Sequence, residues 1–389
     1  MNKIKLASDT IENQDYKILI NFLKKKNYLN QSKYTKSFEK KFSKFLKMKY
    51  SIFVNSGSSA NLLIAQTLLE GGYLKNKIVI LPSVSWSTTI SPFLQLGYKI
   101  LLCDCDKTNL GLDLNHLEKL CIKHTPSLIC VVNVLGHPNN FNGIKKLQKK
   151  YKFKIIEDNC ESLGSKYNKN FLGSFGFASS HSFYYGHHIS TIEGGMVSTN
   201  DLNFYQIALA IKAHGWAREM NNELRLKLEK KFNVSKFSSL YKFYYSGFNI
   251  RSTDLNAVLG INQLKKIRKI GKIRFKNFKI YKKNLKNFWF QNNYSHFVSS
   301  FGYVTLIKNR EETYKFLLKN KIECRPVICG NVSRQPFMKN KFLNQKDKFV
   351  NSDIIDRHGI YLPNHKNLSS KEIIFVCDCI KKIGKPIFF

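Results

Sequence analysis

Short apolar runs and longer amphipathic stretches alternate along this chain. Residues 77–81 (KIVIL), 98–103 (YKILLC), 127–135 (SLICVVNVL) and 153–158 (FKIIED) are apolar almost throughout. Runs of that length, with no alternation between polar and apolar positions, mark strands buried on both faces. Helical or loop segments separate them, which predicts a mostly parallel sheet covered by helices on both sides. Amphipathic helices are expected over about 10–26 and 35–47, followed by a strand, a turn of small residues and a helix across 52–69 (IFVNSGSSANLLIAQTLL). Residues 178–185 (ASSHSFYY) and 195–200 (GMVSTN) add two more strands. From about 266 the chain turns lysine-rich and helical, then α+β. The expected class is therefore α/β, with a large domain over 1–265 and a smaller α+β domain over 266–389.

Composition narrows this picture. A chain of 389 residues with 43% hydrophobic content can build a large core. The first twenty residues carry charges throughout, so no secretory signal is expected, and no stretch reaches the roughly 18 apolar residues of a membrane span. A cytoplasmic protein that makes no membrane contact is the expectation. Nine cysteines include the pairs Cys103/Cys105 and Cys377/Cys379, in segments (KILLCDCD and IIFVCDCI) read as strand-like. Free buried thiols are expected there rather than disulfides. Lysine and arginine exceed aspartate and glutamate by 64 − 26 = 38 charges. The excess is mostly lysine and scattered, so nucleic-acid binding is not expected, whereas attraction of anionic substrates is.

Four segments carry candidate chemistry. Asn55–Asn61 (NSGSSAN) opens a helix, and Gly57, Ser58 and Ser59 offer backbone N–H groups and hydroxyls of the kind that bind a phosphate, or simply cap the helix. Residues 155–164 (IIEDNCESLG) end a strand in acids; Asp158 could pair with a protonated ring nitrogen, with Glu161 beside it. Trp86, in a polar turn after the strand 77–81, could stack on a flat ring. The fourth segment, 182–195 (SFYYGHHISTIEGG), holds His187 and His188 side by side. No carboxylate or cysteine at ligand-like spacing completes a metal site around them. On an extended segment only one of the two faces a given side.

Together with residues 214–218 (HGWAR), 247–260 (GFNIRSTDLNAVLG) and 323–336 (ECRPVICGNVSRQP), these motifs resemble the DegT/DnrJ/EryC1/StrS family of sugar aminotransferases over most of the chain. The resemblance implies the pyridoxal-phosphate (PLP) transferase fold type I, aspartate aminotransferase-like. In that family the fourth segment reads approximately S-F-x-x-x-K-x-I-x-x-x-E-G-G. Counting from Ser182 or back from Gly194 puts His187 where the cofactor-binding lysine belongs. Histidine can move protons but cannot hold the cofactor covalently. The resemblance therefore implies noncovalent PLP or its amine form, pyridoxamine phosphate (PMP). It also implies C3 dehydration of a nucleotide-linked 4-keto-6-deoxy sugar, GDP-linked by resemblance, with L-glutamate as amine donor. It places the cofactor phosphate on Gly57–Ser59 and Ser182, the ring nitrogen on Asp158 and the ring face on Trp86, and it counts Glu161 among the cofactor contacts. His188, facing the other way from His187, would be a support or a substrate contact, and His214, Arg218, Arg251 and Arg325 become candidates for substrate or glutamate contacts. Asn249 would reach the cofactor phosphate of a neighbouring subunit in a homodimer with shared sites, unless it only caps the following helix. A related lysine-lacking branch adds a [2Fe–2S] cluster on four cysteines around a C-x-C pair. Cys103/Cys105 has no cysteine before it and Cys377/Cys379 none after it, so no cluster is expected. An aminotransferase with free cofactor and a noncatalytic sugar-nucleotide-binding relative remain the competing readings.

Overall fold

The computed structural model describes residues 3–292 and 296–389. Helices α1 (Asn13–Lys24) and α2 (Lys33–Leu46) lead into strand β1 (Tyr50–Val54) and helix α3 (Gly57–Glu70). There follow β2 (Ile78–Pro82), α4 (Ser87–Gln95), β3 (Lys99–Cys103), α5 (Leu114–His124), β4 (Leu128–Val132), α6 (Phe141–Tyr151) and β5 (Lys154–Asp158). A small hairpin, β6 (Lys166–Tyr167) and β7 (Asn170–Phe171), precedes β8 (Ala178–Ser182) and β9 (Gly195–Thr199). Every apolar run predicted to be a strand in this half is one, within a residue or two at most ends.

Seven strands form one sheet in the order β1-β9-β8-β5-β4-β2-β3. Pairing is parallel from β3 across to β8, and only β9 runs against its neighbours. Residues on both faces are buried because helices cover both sides, with separate apolar clusters above and below.

Helices α7 (Leu202–Lys212) and α8 (Asn222–Lys231) lead to α9 (Asp254–Asn284), a single helix of 31 residues. The boundary expected at 265/266 falls inside α9. Its first turns pack on α1 and α2, and its later turns pack on the C-terminal unit. That unit holds β10 (Tyr303–Leu306), α10 (Arg310–Lys319), α11 (Val350–His358), β11 (Gly359–Leu362) and α12 (Ser370–Ile383), with β10 and β11 antiparallel.

One expectation is corrected. The segment IIFVCDCI lies in α12 and is helical, not a strand. Ser369 and Glu372 form a capping box at its start, and Ile373, Val376, Cys377 and Ile380 recur at helical spacing on the buried face. The run of apolar residues hid a 3.6-residue period. All nine cysteines are free thiols. No helix among the described residues is long and apolar enough to cross a membrane.

The N-termini of α2 and α9 are tied by one carboxylate. Buried Asp254 accepts hydrogen bonds from the N–H and hydroxyl of Ser32 and of Thr35, at 2.7–2.8 Å. Asp254→Ala leaves these donors unpaired and should cost about 3 kcal/mol, the scale of a charged buried hydrogen-bond network. Urea unfolding reads it, and a loss below about 0.5 kcal/mol would contradict the role.

Candidate functional site

The carboxyl ends of β1, β2, β4, β5 and β8 open toward one side of the sheet, the usual ligand-binding edge of such folds. A cavity of about 720 Å³ lies there. Its walls include Ser56–Ser58, Trp86, Asp158, Glu161, Ser182 and His187, with Phe301, Arg325 and Tyr361 from the C-terminal unit. The four segments singled out in the sequence therefore meet in one place.

The turn after β1 caps α3. Ser56 is the N-cap and its hydroxyl accepts from the N–H of Ser59 at 3.0 Å. Gly57 sits so close to β8 that a Cβ there would lie 2.6 Å from Cβ of Ser182. The start of α3, Ser58 and Ser182 thus surround a small space with the positive end of a helix dipole, suited to a phosphate. Ser59 does not reach it, because its N–H and hydroxyl both face Ser56.

Asp158 ends β5 in the cavity floor and is 6% exposed. Asn61 Nδ2 and Thr89 Oγ1 each donate to its Oδ2 at 2.8 Å, and the N–H of Cys160 donates to Oδ1 at 3.1 Å. No cation pairs with it among the described residues. A buried carboxylate with only neutral donors is suited to accept a further N–H from a ring cation. Trp86 stands at the start of α4 at 56% exposure, a large apolar face left open at the cavity wall. The donor set thus fits a flat, phosphate-bearing ring with a protonated nitrogen.

Residues 183–194 loop between β8 and β9 and carry the two histidines. Nδ1 of His187 donates to the carbonyl of Cys160 at 2.8 Å, which fixes the ring and leaves Nε2 as the basic nitrogen. Burial pushes the pKa of His187 down to about 4; the Cys160 carbonyl opposes this, Arg274 adds to it, and Asp158 opposes it. At neutral pH the imidazole is therefore an uncharged base. His188 points away from the cavity, 1% exposed, with Nε2 at 2.7 Å from the carbonyl of Ser299. Of the two roles open to it, the structure shows the support: its ring holds the Ser299 carbonyl and packs beside Phe301.

Arg325 lines the cavity, exposed. His214, Arg218 and Arg251 do not. His214 is exposed in a left-handed turn, Arg218 lies over the Trp216 ring at 5.2 Å, and Arg251 bridges β1 at its backbone. Asn249 is exposed and likewise away from this chain's own cavity. It does not cap α9; the Thr253 side chain does.

Two features escaped the sequence reading. Residues 5–7 form part of the wall, held by pairing of Ile4 with Ile322. Arg274 on α9 is 1% exposed and has no carboxylate partner among the described residues. Its guanidinium donates instead to the carbonyls of Phe301 at 3.0 Å, Gly186 at 3.4 Å and Asn364. It joins the histidine loop to the C-terminal unit. In the sequence it is one basic residue in a lysine-rich helix, and nothing marks it.

Over residues 9–381 the sequence matches the DegT/DnrJ/EryC1/StrS aminotransferase family. The chain belongs to that family. It is 33% identical over 393 residues to the GDP-4-keto-6-deoxy-D-mannose 3-dehydratase of Yersinia pseudotuberculosis, across 97% of this chain and 98% of that protein. Its structure superposes on the E. coli GDP-4-keto-6-deoxy-D-mannose-3-dehydratase with bound hydrated PLP, at a TM-score of 0.88 and 31% identity, covering 97% of this chain and 99% of that one. A GDP-4-keto-6-deoxymannose-3-dehydratase with a trapped PLP–glutamate geminal diamine gives a TM-score of 0.87 and 32% identity, covering 97% and 99%. The fold is the aspartate aminotransferase-like one expected.

Arg274→Met removes a cation beside His187 and strands several buried carbonyls. It should lower stability by about 3 kcal/mol and raise the pKa of His187. Histidine NMR titration of the cofactor-free protein checks this; an unchanged or lower pKa would contradict the coupling.

Proposed function

We propose that this protein removes the C3 hydroxyl of a nucleotide-linked 4-keto-6-deoxy sugar, GDP-4-keto-6-deoxy-D-mannose foremost. It uses PLP alternating with PMP, takes its amine from L-glutamate and releases ammonia. The observation that carries the reading is His187: an uncharged, oriented imidazole where the family resemblance puts a lysine, in an otherwise intact cofactor cavity. The solved relatives support it, being 3-dehydratases described with PLP, with a PLP–glutamate adduct and, for a histidine-to-asparagine variant, with GDP-perosamine.

Gly57, Ser58 and Ser182 would hold the cofactor phosphate, Asp158 the ring nitrogen and Trp86 the ring face. Bound PLP or PMP supplies an electron sink that lets a carbon–hydrogen bond beside it break heterolytically. The Asp158 carboxylate keeps the ring nitrogen protonated and so strengthens that sink. His187 Nε2 takes and returns the proton. No amine at this position can hold the cofactor covalently or displace an amino sugar from it, so loss of the C3 hydroxyl becomes the productive exit. Arg325 is positioned for an anionic part of the sugar nucleotide or of glutamate.

Ammonia and a 3-deoxy-4-keto sugar nucleotide should appear when the protein is incubated with PLP, glutamate and GDP-4-keto-6-deoxy-mannose. An amino sugar without ammonia would make it an aminotransferase; binding without either product would make it a noncatalytic relative. His187→Asn should keep cofactor binding and lose turnover by about 10²-fold or more, as expected for a lost general base.

The active unit is proposed to be a cytoplasmic homodimer in deoxysugar synthesis for surface polysaccharide. A relative 27% identical to this chain is the lipopolysaccharide biosynthesis protein RfbH of Salmonella typhimurium. Asn249 would complete the partner's phosphate site. Its exposure supports this, as do the exposed Phe232, Phe237, Leu240, Tyr241 and Phe243 on the excursion before it, an apolar surface of the kind that partners cover. Mixing inactive His187→Asn chains with inactive Asn249→Ala chains should restore activity, because one site in each heterodimer keeps both residues. No recovery after verified subunit exchange would sink the shared site.

A further inference from the structure

Glu161 follows directly on Cys160, whose carbonyl holds His187, so both residues reach the cavity from one short turn. Its Oε2 accepts from the N–H of Leu135 at 3.0 Å. Leu135 is held at φ +50°, a strained conformation for a branched residue, and its carbonyl accepts from the N–H of Phe301 at 2.9 Å. No other hydrogen bond and no cation pairs with the Glu161 carboxyl among the described residues. Asp158, three residues earlier, takes three donors by contrast. Glu161 is thus held in place by one oxygen while the other faces the cavity without a partner.

We infer that Glu161 is the general acid that delivers a proton to the departing C3 hydroxyl, working opposite His187 as base. The inference rests on the dehydratase reading above. The protonation states support the geometry. Burial pushes the Glu161 carboxyl up to about 7; the Leu135 N–H pulls against it and Asp158 adds to it. His187 is held down at about 4. Between these values the carboxyl keeps its proton and the imidazole lacks one, the inverse of their free states, and such a divided pair is the arrangement acid–base elimination needs.

Other ionisable groups face the pair. Asp158, Cys160, Cys329 and Tyr361 stand near Glu161, and Arg274, His188 and Asp158 near His187. Lys5, Glu193, Glu323 and Arg325 line the same cavity.

The step balances. The C3–O bond breaks with both electrons on oxygen, which takes the Glu161 proton and leaves as water. The C–H bond whose proton His187 accepts gives up its electron pair, which would be relayed through the conjugated system of the bound cofactor to form the new carbon–carbon double bond. A proton passing from the imidazolium to the carboxylate, directly or through water, resets both.

Glu161→Gln tests this because the amide oxygen can still accept from Leu135. It should slow dehydration by about 10²-fold, the scale of a lost general acid. Wild-type dehydration should fall as pH rises through about 7 and as it drops through about 4; the variant should lack the upper limb. In cofactor-free protein, infrared difference spectra should show a protonated carboxyl titrating near 7 that the variant lacks. A variant that dehydrates at the wild-type rate would overturn the role and leave Glu161 at most a cofactor contact, as would a missing infrared band. A wild type that binds PLP but dehydrates nothing would instead bring down the dehydratase reading, and this inference with it.

Discussion

The cavity exists because three backbone segments pass one another without side chains between them. A Cβ on Gly195 would lie 2.2 Å from the carbonyl oxygen of Ser56, and one on Gly194 2.2 Å from Oγ1 of Thr191. These glycines let β9 enter the sheet beside β1 and β8, directly under the N-cap of α3. Gly57 closes the same space from the other side, against Ser182. The phosphate-sized turn, the strand end at Asp158 and the histidine loop therefore share one wall. A methyl group would have to move backbone at Gly195, the β8 side chain of Ser182 at Gly57, and the hydrogen-bonded hydroxyl of Thr191 at Gly194.

Within that frame the histidine loop is held by carbonyls. His187 is fixed by Cys160, His188 by Ser299, and Gly186 by Arg274. Arg274 carries a positive charge into the interior with no anion to meet it among the described residues, and burial holds its pKa down to about 10. Burial is the main reason both histidines stay uncharged, and the Arg274 field adds to it. A lysine at position 187 would face the same field, which would favour its unprotonated amine. Histidine keeps the base function of such an amine and omits its nucleophilic one.

Much of the fold was legible because its strands are short, apolar and fully buried, so period and length agree. The site was legible for a different reason: small residues, an acid at a strand end and paired histidines are unusual in the places they occupy. Legibility failed where chemistry and packing look alike. IIFVCDCI reads as a strand because almost every residue is apolar, although only the face of Ile373, Val376, Cys377 and Ile380 needs to be. Ser59 looks like Ser58 in sequence, but hydrogen bonding to Ser56 takes it out of the site. Arg274 is indistinguishable from its lysine-rich surroundings until the helix is docked. His214, Arg218 and Arg251 lie off this chain's cavity, which a sequence motif alone does not reveal.

The central claim is that the imidazole at position 187 leaves the cofactor unanchored while keeping its chemistry. Borohydride reduction of the PLP-loaded native protein, followed by peptide mass spectrometry, tests it most directly. The account predicts no pyridoxyl group on any lysine of the site, and full recovery of the cofactor from the protein on denaturation. A pyridoxyl-lysine recovered from the native cavity would contradict it.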